Sequence, residues 1–157
     1  MHAHEALVRR LYAALDEMDG DAMAACYAAD ARFSDPVFPE LRGPAVGAMW
    51  RMLCQRARDL EVQVVAAQPS GAGFEATWAA QYTFARTGRP VTNLGNARFR
   101  FHDGLIAEHV DEWDFHRWAT QALGWQGRML GGTGILRRKV QREAAQGLAK
   151  FRQAGTP

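Results

Sequence analysis

Ala97-Arg98-Phe99-Arg100-Phe101-His102-Asp103-Gly104-Leu105-Ile106-Ala107-Glu108-His109-Val110-Asp111-Glu112-Trp113 reads as two strands joined by a tight turn. Side chains alternate between the faces of a strand. His109, Asp111 and Trp113 therefore share one side with Leu105, Ala107 and, further on, Phe115, while Glu108, Glu112 and Asp114 take the other. A three-residue turn over His102-Asp103-Gly104, with Gly104 left-handed and an accompanying bulge, joins Ala97 and Phe99 to the face of Ala107 and His109. A two-residue Asp103-Gly104 turn would set His109 opposite Arg98, so the bulged three-residue turn is the expectation. An imidazole and a carboxylate on an otherwise apolar face need hydrogen-bond partners or bear the cost of burial. A pocket supplies both a reason and a solution.

Upstream of this hairpin the same period of two continues. Leu60, Val62, Val64 and Ala66 alternate with Glu61 and Gln63, and Phe74, Ala76, Trp78, Ala80, Tyr82 and Phe84 alternate with Glu75, Thr77 and Gln81. Val91 to Phe101 forms the next strand, where Gly95 is a plausible bend point. The N-terminal third instead repeats at three and four residues. Leu7, Val8, Leu11, Leu15 and Met18 mark a helix over 4–18. Asp21 is the expected cap of a second helix ending near Tyr27-Ala28, and Ala31 to Pro36 is extended. Pro44 opens a third helix with Val46, Met49, Trp50 and Leu53 on one stripe. After the sheet come a short helix from Trp118, a glycine-rich loop over 124–134 and a polar helix from Leu136 to about Phe151. Helices followed by long antiparallel strands make an α+β pattern. The N-terminal helices then pack in a strongly curved antiparallel sheet that forms a cone-shaped cavity. We assign 1–117 to the cone and 118–157 to a C-terminal helical extension of the same domain.

The 157 residues suffice for one domain with a real core. A net charge of +2, from 19 Lys plus Arg against 17 Asp plus Glu, gives no reason to expect a nucleic-acid partner. The basic cluster Arg137-Arg138-Lys139 with Arg142 reads as a solvated helix face. No apolar run approaches the ~18 residues of a membrane span, so no membrane partner is expected. Cys26 and Cys54 are isolated thiols that suit a reducing compartment, and no apolar signal core follows Met1, so the expected location is cytoplasmic. His, Cys and carboxylates show no metal-site spacing, although His2 and His4 could take a metal adventitiously. Gly131-Gly132-Thr133-Gly134 lacks the strand and lysine of a phosphate loop. No metal or cofactor is expected.

Gly20-Asp21 between two helices, Tyr27-Ala28-Ala29-Asp30-Ala31, Phe33-Ser34-Asp35-Pro36, and Leu41-Arg42-Gly43 opening a helix together resemble the nuclear transport factor 2-like superfamily. That superfamily includes ketosteroid isomerases, SnoaL-like polyketide cyclases, scytalone dehydratases and limonene epoxide hydrolases, and the resemblance covers roughly residues 4–117. It implies that Asp35 stands where ketosteroid isomerases carry their general base, an Asp that works with an oxyanion hole of a Tyr and a protonated Asp. Here the Tyr position falls on Leu11, one residue from Tyr12, and the acidic position falls on Ala97. Asp111 resembles the strand carboxylate of limonene epoxide hydrolases and SnoaL-like cyclases, but no second Arg-Asp pair of the epoxide hydrolase type accompanies it. The resemblance also implies a homodimer through the sheet face of Thr92, Leu94, Asn96 and Arg98 with Val110 and Glu112.

The expected catalytic residues are Asp35, His109 and Asp111, with Tyr12, Trp50, Trp78, Tyr82 and Trp113 lining a site for a small hydrophobic ligand. A carboxylate in a low-dielectric cavity is pushed towards neutral pH, where it makes a useful proton acceptor or donor. Asp35 and Asp111 facing each other across a pocket, with His109 between, would remove a proton on one side and return it on the other. The leading expectation is a cofactor-free acid–base enzyme of isomerase, dehydratase or cyclase type. The alternative is a non-catalytic ligand-binding or protein-interaction module, because fold does not determine function. Ser34-Asp35-Pro36 has a second reading as turn chemistry, Asp bonding local amides.

Overall fold

The computed structural model describes residues 2–155, the side chain of His2 excepted. α1 (His2–Asp16) buries Leu7, Val8, Leu11 and Tyr12, and His4 stacks on Phe101 with ring centroids 3.9 Å apart. α2 (Gly20–Ala24) is capped by Asp19, whose carboxylate accepts the Ala22 N–H at 3.0 Å. Asp21, the expected cap, instead pairs with Arg51 Nε at 2.6 Å. The helix stops before Tyr27-Ala28 because those residues already belong to β1 (Tyr27–Ser34), where Tyr27 pairs with Ile106. Beyond the short strand β2 (Leu41–Arg42), α3 (Pro44–Arg56) starts at its proline as expected. Its stripe buries Val46, Met49, Trp50 and Met52, leaving Leu53 38 % exposed.

β3 (Glu61–Ser70), β4 (Gly73–Phe84), β5 (Arg89–His102) and β6 (Leu105–Trp113) complete a curved, unclosed sheet in the order β2-β1-β6-β5-β4-β3. Neighbours are antiparallel except β1, which runs parallel to β6. Residues 74–80 of β4 and 91–99 of β5 alternate buried with exposed or half-buried, as the period of two requires.

The β5–β6 hairpin departs from expectation in an instructive way. Its turn has two residues, Asp103 at φ 50° and Gly104 at φ 78°, closing the His102–Leu105 pair. The bulge lies further along, where Ala107 intervenes between Ile106, opposite Phe101, and Glu108, opposite Arg100. Ile106 is therefore the buried residue before the bulge, and Leu105 and Ala107 are only half-buried. Past the bulge the phase is as expected: Phe99 faces His109 and Ala97 faces Asp111.

α4 (Phe115–Leu123) begins three residues before Trp118, capped by Asp114, which accepts the Arg117 N–H at 3.0 Å. Within the expected loop lies α5 (Trp125–Leu130), followed by α6 (Gly134–Ala154). α5 packs tightly on α4, since a Cβ at Gly127 would fall 1.8 Å from the Ala119 carbonyl oxygen. The main core lies between α1–α3 and the inner sheet face and includes Leu148 of α6. A second cluster, Val91 with Phe115, Trp118, Ala119 and Ala122, joins α4 to the sheet. Among the described residues no helix is long and apolar enough to cross a membrane.

Candidate active site in the sheet interior

His109 is 1 % exposed and lies among Phe99, Phe33, Tyr27 and Trp50, with ring centroids 4.3, 4.9, 6.1 and 6.3 Å from its own. Its Nδ1 is 2.8 Å from the Tyr27 hydroxyl, which also accepts the Trp50 indole N–H at 2.9 Å. With Trp50 donating to that oxygen, the hydroxyl's own hydrogen is available for Nδ1. The network thus assigns the neutral imidazole proton to Nε2. Nε2 lies 3.2 Å from Asp111 Oδ1 but off hydrogen-bond alignment, and this buried nitrogen has no hydrogen-bond partner.

Asp111 sits on the same inward face, two residues along β6. Its Oδ1 accepts the Trp78 indole N–H at 3.0 Å. That bond depends on Gly95, because a Cβ there would fall 2.3 Å from Cζ2 of Trp78. Gly95 thus gives the indole room where it lies against β5. Tyr12 is buried from the α1 side, packs edge-on to Phe99 at 6.3 Å, and its hydroxyl has no partner. Burial, reinforced by the Asp111 charge, pushes the phenols of Tyr12 and Tyr27 well above their ordinary pKa, which keeps both protonated.

Asp35 occupies the bend after β1. Its Oδ1 accepts the amides of Val37 at 2.7 Å and Phe38 at 2.6 Å, and its own amide donates to the Phe38 carbonyl at 2.9 Å. The turn chemistry expected of Ser34-Asp35-Pro36 is therefore present. Those bonds favour the ionised form, as does His109 when it is protonated, but enclosure by protein outweighs them and Asp111 adds to it. The carboxyl is pushed up from 3.8 to about 6. Asp35 thus shares an electrostatic site with Asp111 and His109 without bonding either.

Tyr82 is half-buried, accepts the Trp118 indole N–H at 2.7 Å, and has its pKa raised mainly by burial, with Asp35 contributing. Trp113 is also half-buried and packs on Trp118 and Phe115 at 6.0 and 6.4 Å. Gln141 of α6 donates to the Pro36 carbonyl at 3.0 Å, tying the C-terminal helix to the Asp35 bend. The expected site residues therefore fall into two neighbourhoods. Tyr12, Trp50, Trp78, His109 and Asp111 form the deep one; Tyr82 and Trp113 gather around Trp118, with Asp35 acting on Tyr82.

Three contributors were missing from the sequence reading: Tyr27, Trp118 and Asn93, which is buried on the inward face of β5. Asn93 was legible, being in phase with Ala97 and Phe99. Tyr27 was hidden because it was assigned to a helix end. Among the described residues no three His, Cys, Asp or Glu side chains are grouped to hold a metal ion. Two surface grooves have volumes of about 320 and 380 Å³: one is lined by Glu75, Arg98, Phe99 and Arg100 among others, the second by Thr77, Leu94, Glu112 and the expected site residue Trp113.

The sequence pattern of a family described as the SnoaL-like domain matches residues 8–109. No curated protein matches the chain by sequence. Similar solved structures include a proposed polyketide cyclase from Xanthomonas campestris, at 22 % identity and TM-score 0.64, covering 76 % of this chain and 96 % of that one. A proposed isomerase from Bacillus subtilis is 17 % identical at TM-score 0.68, covering 78 % and 94 %. An LEH-like epoxide hydrolase from M. tuberculosis is 19 % identical at TM-score 0.65, covering 83 % and 96 %. At these identities the likeness is one of fold.

Proposed function

Because the chain belongs to the SnoaL-like domain family, we propose that it is an acid–base enzyme acting on a small hydrophobic molecule, with Asp35 as the base. The observation that carries this reading is the Asp35 carboxyl, half-buried in the bend after β1, raised to about 6 and acted on by both His109 and Asp111. At neutral pH such a group is mostly ionised yet more basic than an ordinary aspartate, which suits proton abstraction. Its Oδ1 is held by two backbone amides, so Oδ2 is the oxygen that takes the proton. Asp35 returns the proton it has taken, at a second carbon or to a leaving group of the substrate, while His109 offers its Nε2–H as a hydrogen-bond donor towards developing negative charge. Proton transfer of this kind serves an isomerase, a dehydratase or a cyclase and draws only on groups of the chain. Trp113, Tyr82 and Trp118 cluster with Val37, two residues from Asp35, and supply the apolar surroundings of that bend.

A second reading, a non-catalytic ligand-binding or protein-interaction module, is favoured by the deep interior itself. There Tyr12, Trp50 and Trp78 are all under 10 % exposed and fill the space between helices and sheet. The homodimer is proposed through the outer sheet face, where Thr92, Leu94, Asn96, Arg98 and Glu112 are exposed; light scattering reads it directly.

The test is deuterium exchange from heavy water into a panel of apolar ketones, followed by proton NMR. Asp35→Asn is expected to slow exchange by about 10²–10⁴-fold. Full rates in Asp35→Asn, Asp111→Asn and His109→Ala alike would sink the enzyme reading. Ligand binding by tryptophan fluorescence, without exchange of any compound, would favour the module.

A further inference from the structure

The charge of this chain is divided unevenly along its length. Residues 125–157 hold seven Arg or Lys against Glu143 alone, a net charge of +6, whereas residues 1–124 hold twelve against sixteen, a net charge of −4. The single acid of the C-terminal stretch is already paired, Glu143 accepting from Arg86 at 2.7 Å. Ile135, Arg138, Lys139 and Arg142 recur at spacings of three and four along α6, and all are exposed. One turn of chain away, α5 presents Trp125 and Met129, four residues apart and 69 % and 70 % exposed. Leu130 and Ile135 are 49 % and 74 % exposed, and the Thr133 amide donates to the Leu130 carbonyl at 2.9 Å, which brings Leu130 beside the start of α6. Large apolar side chains left in water at one corner, next to a basic stripe, mark an interaction surface.

We propose that the α5–α6 corner docks on an anionic lipid surface, with Trp125, Met129, Leu130 and Ile135 entering the headgroup boundary and Arg138, Lys139 and Arg142 meeting the lipid charge. Apolar residues beside Lys and Arg on short helices match the composition of segments that lie in a membrane interface. The negative lipid surface attracts each nearby basic residue. A nucleic acid would satisfy the arginines but leave Met129, Leu130 and Ile135 in water. The expectation of no membrane partner rested on the lack of a spanning segment, which surface docking does not need. The corner is separate from Asp35, His109 and Asp111, so the proposal stands independently of the chemistry there.

The experiment is co-sedimentation of the full chain with vesicles of phosphatidylcholine alone and of equimolar phosphatidylcholine and phosphatidylserine. Binding is expected to the mixed vesicles and to weaken as salt is raised. The variant Arg138→Gln/Lys139→Gln/Arg142→Gln is expected to bind about a hundredfold more weakly, roughly fivefold for each charge removed. Trp125→Ser/Met129→Ser is expected to bind about tenfold more weakly. All five positions are exposed, and unchanged far-ultraviolet circular dichroism and urea midpoints verify that the fold is kept. No binding to the mixed vesicles, equal binding to both kinds, or full binding by either variant overturns the proposal. It is also overturned if light scattering shows a dimer that Trp125→Ser/Met129→Ser dissolves, because a second copy then covers the corner.

Discussion

The deep end of the site and its Asp35 end use polar groups in opposite ways. In the deep end, the Trp50 and Trp78 indoles reach the Tyr27 hydroxyl and the Asp111 carboxylate, and Tyr27 meets His109 at Nδ1. These bonds fix orientation, and they leave the Tyr12 hydroxyl and His109 Nε2 without a partner. At the Asp35 bend, one carboxylate oxygen holds two amides while the group as a whole is pushed towards neutral pH. Buried networks that are satisfied stabilise a fold, and groups forced into unfavourable ionisation destabilise it. The contrast is between groups held in orientation at the deep end and a carboxyl held away from its ordinary ionisation at the bend.

Breaking the deep end carries the largest expected effect. His109→Ala removes an imidazole packed by four rings and strands the Tyr27 hydroxyl, and should cost about 4 kcal/mol in urea unfolding. A loss under about 1 kcal/mol would deny the network its structural role.

Asp35→Asn should do the reverse and stabilise the protein. The folded carboxyl titrates near 6 against an ordinary 3.8, so it holds its proton more tightly folded than unfolded. Its penalty is absent below about pH 3, grows between about pH 4 and 6, and is complete above that range. The difference between variant and parent should therefore rise from near zero at about pH 3 to about 3 kcal/mol at about pH 8. The asparagine oxygen still accepts the Val37 and Phe38 amides. Unfolding curves at both pH values decide it; a difference independent of pH would mean that Asp35 is not destabilised by ionisation.

Gly95→Ala probes the ground between the two regions. The added methyl meets the Trp78 ring and should displace the indole from Asp111, costing roughly 2 kcal/mol. Near-ultraviolet circular dichroism should change with it. The smallest effect is expected for Trp50→Phe, which keeps a ring but removes the N–H to Tyr27, at about 1 kcal/mol with some cost from lost ring volume. If Trp50→Phe matched His109→Ala, the indole packing rather than the hydrogen bond would be holding the deep end.

Much of this was readable in the chain. The period of two in β4 and β5, and the placement of Asp111 and His109 against Ala97 and Phe99, follow from alternation alone. Pro44 opened its helix as its missing N–H dictates. The errors cluster where a residue's partner is distant in sequence. Leu105 and Ala107 were expected inside, yet the bulge at Ala107 buries Ile106, whose amide donates to the Cys26 carbonyl at 2.9 Å. Tyr27 was hidden for the same reason, since its hydroxyl serves His109, 82 residues away.

The amino-acid sequence by itself determined which residues alternate, that Pro44 opens a helix, and that an imidazole and a carboxylate, His109 and Asp111, share an otherwise apolar strand face, because these depend on backbone periodicity and local chemistry. Tertiary structure alone decided that β1 runs parallel to β6, that Trp50 and Trp78 occupy the deep end, and that Asp35 feels Asp111 and His109. Burial and Coulombic interaction depend on distance in space, and no spacing along a chain encodes that distance until the sheet has curved and its helices have docked.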